Sequence, residues 1–244
     1  MSESLPPAAN TLVSEASPLG LPMGPWPILS SGELRVLGVL IEKQKTTPET
    51  YPLSMNALVV GSNQKSNRDP VTDLNDEQVD EILDDLRKKG LAIKVIGGRV
   101  DRYRHLLYDV IQPSKVELAV LAELFLRGPQ TEGELRTRAN RMEEIPDLEA
   151  LKEHLRDLKN RKLVEYLTPE DRRGAVVAHC FYDPSTLAHL RQKAEGTAVS
   201  PVNEPRMVAP PPPNPEWLTK LDQLQLRVET LEKELFALKS GLGL

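Results

Sequence analysis

The 244-residue sequence has one cysteine, 4% aromatic residues and no basic residue before Arg35. A single thiol, Cys180, allows neither an internal disulfide nor a cysteine metal cluster, which suits a reducing compartment. So few aromatics argue against a base-stacking or sugar-binding surface. An N-terminus without Lys or Arg lacks the basic region of a secretory signal, and no apolar run reaches the length of a membrane span. These absences predict a soluble, cytoplasmic protein with no membrane partner. Net charge is -5 with both signs interleaved. That is the wrong sign for coating nucleic acid, although a local basic patch could still bind it.

Composition then divides the chain. Residues 1–29 are rich in Pro, Ser and Ala, with little to bury, and read as a disordered arm. Residues 192–216 contain "PVNEPRMVAPPPPNPE" and read as a proline-rich spacer. Between them an internal repeat divides the body into residues 30–110 and 111–191. Ser30 with Glu33 and Ser114 with Glu117 form capping boxes. They open "ELRVLGVLIEK" and "ELAVLAELFLR", in which Leu34, Val36, Leu37 and Leu40 match Leu118, Val120, Leu121 and Leu124. Further on, Val79, Leu83, Leu86 and Leu91 match Leu151, Leu155, Leu158 and Leu163 without a gap, at an offset twelve residues smaller.

Each copy reads as three helices and a two-stranded hairpin. The helices are 32–43, 53–60 and 76–89 in the first copy, and 115–126, 132–142 and 148–161 in the second. The strands are "LAIKVI" and "VDRYRHLL", turning at Gly97 and Gly98, then "LVEYL" and "AVVAHCFY", joined by "TPEDRRG". Glycine's access to positive φ suits the first turn. The predicted fold class is therefore mainly α with small β-hairpins, α+β, built as two tandem winged-helix domains, a variant of helix-turn-helix. At 217–240, Trp217, Leu221, Leu224, Val228, Leu231, Leu235 and Leu238 follow heptad spacing, and Arg227 with Glu232 and Glu234 with Lys239 would attract across a parallel seam. This predicts a C-terminal coiled-coil helix and a homodimer; one helix folding back on its own body is the alternative.

The run "SNQKSNRDP", preceded by "EKQKTTPETYPLSMNALV" and followed by the acidic helix and hairpin, resembles the YceH family of uncharacterised bacterial proteins over about Leu29 to Asp183. The resemblance implies tandem winged helices and a C-terminal coiled coil, and implies no established activity.

Winged helices commonly place the third helix in the major groove and the hairpin on the backbone. Here the first third helix, "DEQVDEILDDLRKK", presents Asp76, Glu77, Asp80, Glu81, Asp84 and Asp85 before any cation, and such a helix repels phosphate. Its acids also suit the positive end of the helix dipole. The residues placed for nucleic-acid or partner contact are Lys65, Arg68, Lys94, Arg99, Arg102, Arg104, Arg136, Arg138, Arg172 and Arg173. For Lys65 and Arg68 the competing reading is a loop that braces the domain, with Arg68 fixed by an internal acid. His105, His154, His179 and His189 lack metal-ligand spacing and no phosphate loop is present, so neither an enzyme nor a cofactor is expected. The expected function is a DNA-binding regulatory protein, because this fold class is so often used that way; the alternative is a protein-interaction scaffold with an acidic winged-helix body, similar in architecture to accessory subunits of chromosome-condensing complexes.

Overall fold

A computed structural model describes residues 25–96, 100–196 and 227. All but the last belong to one compact unit, Met1–Val199. Residues 1–24 of the arm, Gly97 and Gly98 of the first turn, Arg99, residues 197–216 of the spacer and the heptad residues Trp217, Leu221, Leu224, Val228, Leu231, Leu235 and Leu238 lie outside the described residues.

The described chain is α+β, mainly helical with two small antiparallel sheets. Its first half runs α1 (Ser31–Thr46), β1 (Leu53–Ser54), α2 (Met55–Ser62), α3 (Asp76–Lys88), β2 (Ala92–Val95), β3 (Arg102–His105) and a short α4 (Leu107–Val110). The second half repeats the order with α5 (Lys115–Arg127), β4 (Gln130–Thr131), α6 (Glu132–Ala139), α7 (Leu148–Asn160), β5 (Val164–Tyr166) and β6 (Val176–His179), then adds α8 (Pro184–Gly196). The sheets have the same order, β1-β3-β2 and β4-β6-β5. The registers also agree, since Ala92 faces His105 as Val164 faces His179.

Local chemistry sets these boundaries. The Ser30–Glu33 and Ser114–Glu117 capping boxes are both formed, and Asn75–Gln78 and Thr131–Glu134 form two more. Each satisfies N–H groups that a helix start leaves free. Third helices α3 and α7 are amphipathic, burying Val79, Leu83 and Leu86 in one and Leu151, Leu155 and Leu158 in the other. First helices α1 and α5 are different, because every residue from Glu33 to Ile41 and from Glu117 to Leu126 is buried. Such all-round burial marks a central helix. Gly38 lets α1 approach α5, for a Cβ there would lie 2.9 Å from Leu126 Cδ2. One continuous apolar cluster results, running from Leu29 to Phe181 through both repeats.

Several details depart from the sequence reading. Strands β1 and β4 were not expected; Leu53 and Ser54 belong to a strand paired with Tyr103 and Arg102 instead of opening α2. Ser54 instead caps that helix, its hydroxyl accepting from Ala57 N–H. Helix α6 stops at Ala139 instead of Met142. Residues 25–29, assigned to the arm, are docked: Trp26 Nε1 donates to the Arg161 carbonyl and Leu29 N–H to that of Phe181. Helix α8 continues to Gly196, five residues past the expected end of the body. Asp183 starts it, accepting from the hydroxyls and the N–H groups of Ser185 and Thr186, and these bonds, the hydroxyl ones foremost, hold its carboxyl well below the usual range.

Candidate functional site

The polar loop between α2 and α3 is the most chemically concentrated part of the first repeat. Arg68 is buried within it. Its guanidinium donates to Glu42 Oε2 at 2.6 Å and Oε1 at 3.3 Å, to the Gly61 carbonyl at 3.0 Å and to the Asn67 carbonyl at 2.9 Å. Arg35, also buried, donates to the Ser62 carbonyl at 3.3 Å and the Pro70 carbonyl at 2.5 Å. Burial pushes its guanidinium down to about 10, with the Arg68 charge adding to this and Asp69 opposing it. Asn67 takes a φ of 61°, a left-handed conformation that asparagine tolerates better than most residues.

That loop also reaches the second repeat. Arg127 of α5 donates to Asn67 Oδ1 at 2.5 Å, and Asp69 N–H donates to the Leu126 carbonyl at 3.0 Å. Behind Arg127, fully buried Glu123 accepts from Arg141 at 2.6 Å. Lys45 and Glu143 add an ion pair between the repeats at 2.8 Å. Arg68 and its neighbours thus form a brace joining the two repeats.

Four of the other cations placed for contact are occupied internally. Lys94 pairs with Asp101 at 2.6 Å, and Arg102 donates to the Pro52 carbonyl at 2.7 Å. Arg104 is exposed and 4.0 Å from Asp109. Arg136 donates to the Pro146 carbonyl at 2.6 Å, and Arg138 to Gln130 Oε1 at 2.6 Å. Lys65, Arg172 and Arg173 are exposed, with no side-chain partner among the described residues. The acids of α3 are all exposed. Asp84 and Asp85 pair with Arg87 and Lys88 at 2.7 and 2.8 Å, leaving Asp76, Glu77, Asp80 and Glu81 facing solvent.

The sequence reading missed a repeated ion pair. The capping glutamates are held by a basic residue after each third helix: Glu33 by Lys89 at 2.6 Å and Glu117 by Arg161 at 3.6 Å. The signal was present, since Lys89 and Arg161 align in the ungapped part of the repeat.

His105 and His179 also occupy matching positions, both deep in the core. In each, Nδ1 accepts a backbone N–H two residues on, which leaves Nε2 protonated. In the first repeat Nε2 lies 2.7 Å from Gln44 Oε1. His179 stacks on Tyr182 with ring centroids 3.9 Å apart and gives Nε2 no partner among the described residues. Burial lowers the His105 imidazole from 6.5 to about 4 and that of His179 to about 3. The unfolded chain therefore binds protons that the folded chain refuses. Stability should fall by a few kcal/mol as the pH drops from about 6.5 towards 4. Urea midpoints at pH 7 and pH 5 check this, and His179→Gln should retain more of its pH 7 midpoint at pH 5 than the parent does.

Among the described residues no group of His, Cys, Asp and Glu could hold a metal ion, and no helix is long and apolar enough to cross a membrane. Burial pushes the Cys180 thiol up to about 12, which keeps it a protonated, weakly nucleophilic group.

The class defined by these features is an α+β protein of two fused helix-and-hairpin repeats, braced through one polar loop. The chain belongs to the family described as "Protein of unknown function, DUF480", whose match spans residues 29–174 and so takes in most of both repeats. It is 48% identical over 166 residues to a UPF0502 protein of Rhodopirellula baltica, covering 68% of this chain and 70% of that one. A UPF0502 protein of Saccharophagus degradans is 38% identical over 225 residues, covering 88% of this chain and 99% of its own. One from Geotalea daltonii is 57% identical over 134 residues, covering 54% of this chain and 62% of the relative.

Proposed function

We propose that the two repeats are tandem winged helices and that the chain is a non-enzymatic, cytoplasmic protein-interaction module joined into a dimer by its C-terminal heptads. The observation that carries this reading is the solvent face of α3. In a DNA-binding winged helix that face enters the groove; here it presents Asp76, Glu77, Asp80 and Glu81 without counter-charges. Counterion release from phosphate needs free Lys and Arg. The brace, the wing pairs and the carbonyl contacts have already engaged most of them.

DNA-associated regulation is the second reading, favoured by Arg172 and Arg173, two adjacent free arginines at the tip of the β5–β6 hairpin. Fluorescence anisotropy of full-length protein on mixed genomic DNA fragments, across a salt series, separates the two. The expected result is no saturable binding at ~0.15 M salt. Tight binding that weakens steeply with salt, and whose slope flattens in Arg172→Ala/Arg173→Ala, would overturn the interaction-module reading in favour of DNA.

A further inference from the structure

The internal repeat permits a comparison that neither half offers alone. In the second sheet one face, carrying Val164, Tyr166, Val177 and His179, turns to the main core. The opposite face carries Glu165 and Ala178, which are register partners. Ala178 is nevertheless fully buried, and with Ala175 and Leu167 it lies outside the main apolar cluster. Helix α8 is tied to this face of the sheet, Arg191 gripping Glu165 through two bonds of 3.0 and 2.5 Å. Half-buried Thr186, Leu187, Leu190 and Ala194 recur along it at helical spacing.

The first sheet has the same order and register, and its matching outer face is bare. Ile93 and Val95 are 41% and 37% exposed, and the hairpin adds Ile96 and Val100 at 85% and 56%. Ile93 sits directly across from Arg104 and Val95 from Arg102. Where α8 would follow, the chain makes only four-residue α4 before entering α5. No described segment covers this face. Its polar handle is also inverted. Ile93 stands in the place of Glu165 and Arg104 in that of Ala178, so a cation borne by the sheet replaces the carboxylate that Arg191 seeks in the second repeat.

From this we infer that the outer face of the first sheet is a docking site for an acidic amphipathic helix of another protein. The helix lies on this sheet as α8 lies on the second, with apolar residues against Ile93 and Val95 and a carboxylate on Arg104. The nature of the occupant follows from the pseudo-symmetry, and its charge from Arg104, whose contact with Asp109 at 4.0 Å is loose. Clustered apolar side chains left open on a sheet are uncommon on a monomer, and a helix laid into an apolar groove is a recurrent mode of recognition. This inference rests on the interaction-module reading and names the partner's chemistry.

The probe is a fluorescent, helix-stapled synthetic peptide carrying the α8 sequence Pro184–Gly196 with Arg191→Glu, beside the same peptide with arginine retained. Full-length protein is titrated against both. The glutamate peptide is expected to saturate and to bind about fivefold more tightly than the arginine peptide, the upper range for an exposed ion pair. Arg104→Glu should reverse that order. Ile93→Asp, at an exposed position that does not threaten the core, should weaken both peptides at least about tenfold. Equal affinity for the two peptides, or binding untouched by Ile93→Asp, overturns the inference. So does self-association of the full chain that Ile93→Asp abolishes, which would give the face to a second copy. The DNA titration keeps the two failures apart. A silent DNA series with an indifferent peptide removes only this docking face, whereas steep salt-dependent DNA binding removes the reading beneath it.

Discussion

Arg68→Met should lower the unfolding free energy by about 3–5 kcal/mol, which is the cost of removing one partner from a buried ion pair. Glu42 would keep its charge with only exposed-side solvation and the flanking Lys43 at 3.5 Å, while the Gly61 carbonyl would lose its donor. Arg68→Lys should recover only part of the loss, because an ammonium cannot reproduce a fork that meets a carboxylate and two carbonyls together. Arg68→Met combined with Glu42→Leu should be more stable than Arg68→Met alone, since no charge is then stranded. Urea titration followed by far-ultraviolet circular dichroism reads all three midpoints. A midpoint unchanged in Arg68→Met would mean that the loop does not brace the fold.

Gly38→Val should cost about 3 kcal/mol or more, at the upper end of overpacking penalties. Its Cβ alone would lie 2.9 Å from Leu126 Cδ2 and Cγ and 3.2 Å from Phe125 Cβ, and the branched methyls would go further into α5. The control is Gly133 on α6, where an added Cβ meets nothing within 4 Å. Gly133→Ala should stabilise by up to about 1 kcal/mol through helix propensity. Opposite signs at two helical glycines would locate the effect in the α1–α5 contact. Hydrogen exchange should then show α5 losing protection in Gly38→Val although the substitution lies in α1.

What the sequence made legible divides along physical lines. Helices α1, α3, α5 and α7 were readable because capping boxes and leucine spacing are local, and the repeat confirmed each with a second copy. Strands β1 and β4 were not, since two residues carry no periodicity and exist only by pairing with β3 and β6. Helix α8 had a usable sign in Asp183–Pro184, an N-cap followed by proline at the first helical position, but its proximity to the proline-rich spacer obscured it. Among the candidate contacts, charge and type were visible and engagement was not. Arg68 finds Glu42 across 26 residues and Arg127 finds Asn67 across 60, distances at which no pattern announces a partner. That Arg68 could be fixed by an internal acid was readable from its polar, turn-forming neighbourhood; that the acid is Glu42 was not.

The shared apolar cluster also bears on how any ligand is counted. Two binding modules on a flexible tether raise each other's effective concentration only as far as the tether permits, and the gain falls as the tether lengthens. Here α1 lies against α5 with no tether between them, so the spacing of whatever the two halves grasp is set like the jaws of a fixed gauge. A partner with the matching pitch would gain avidity without loss to linker entropy, and one of a different pitch would be held by a single jaw.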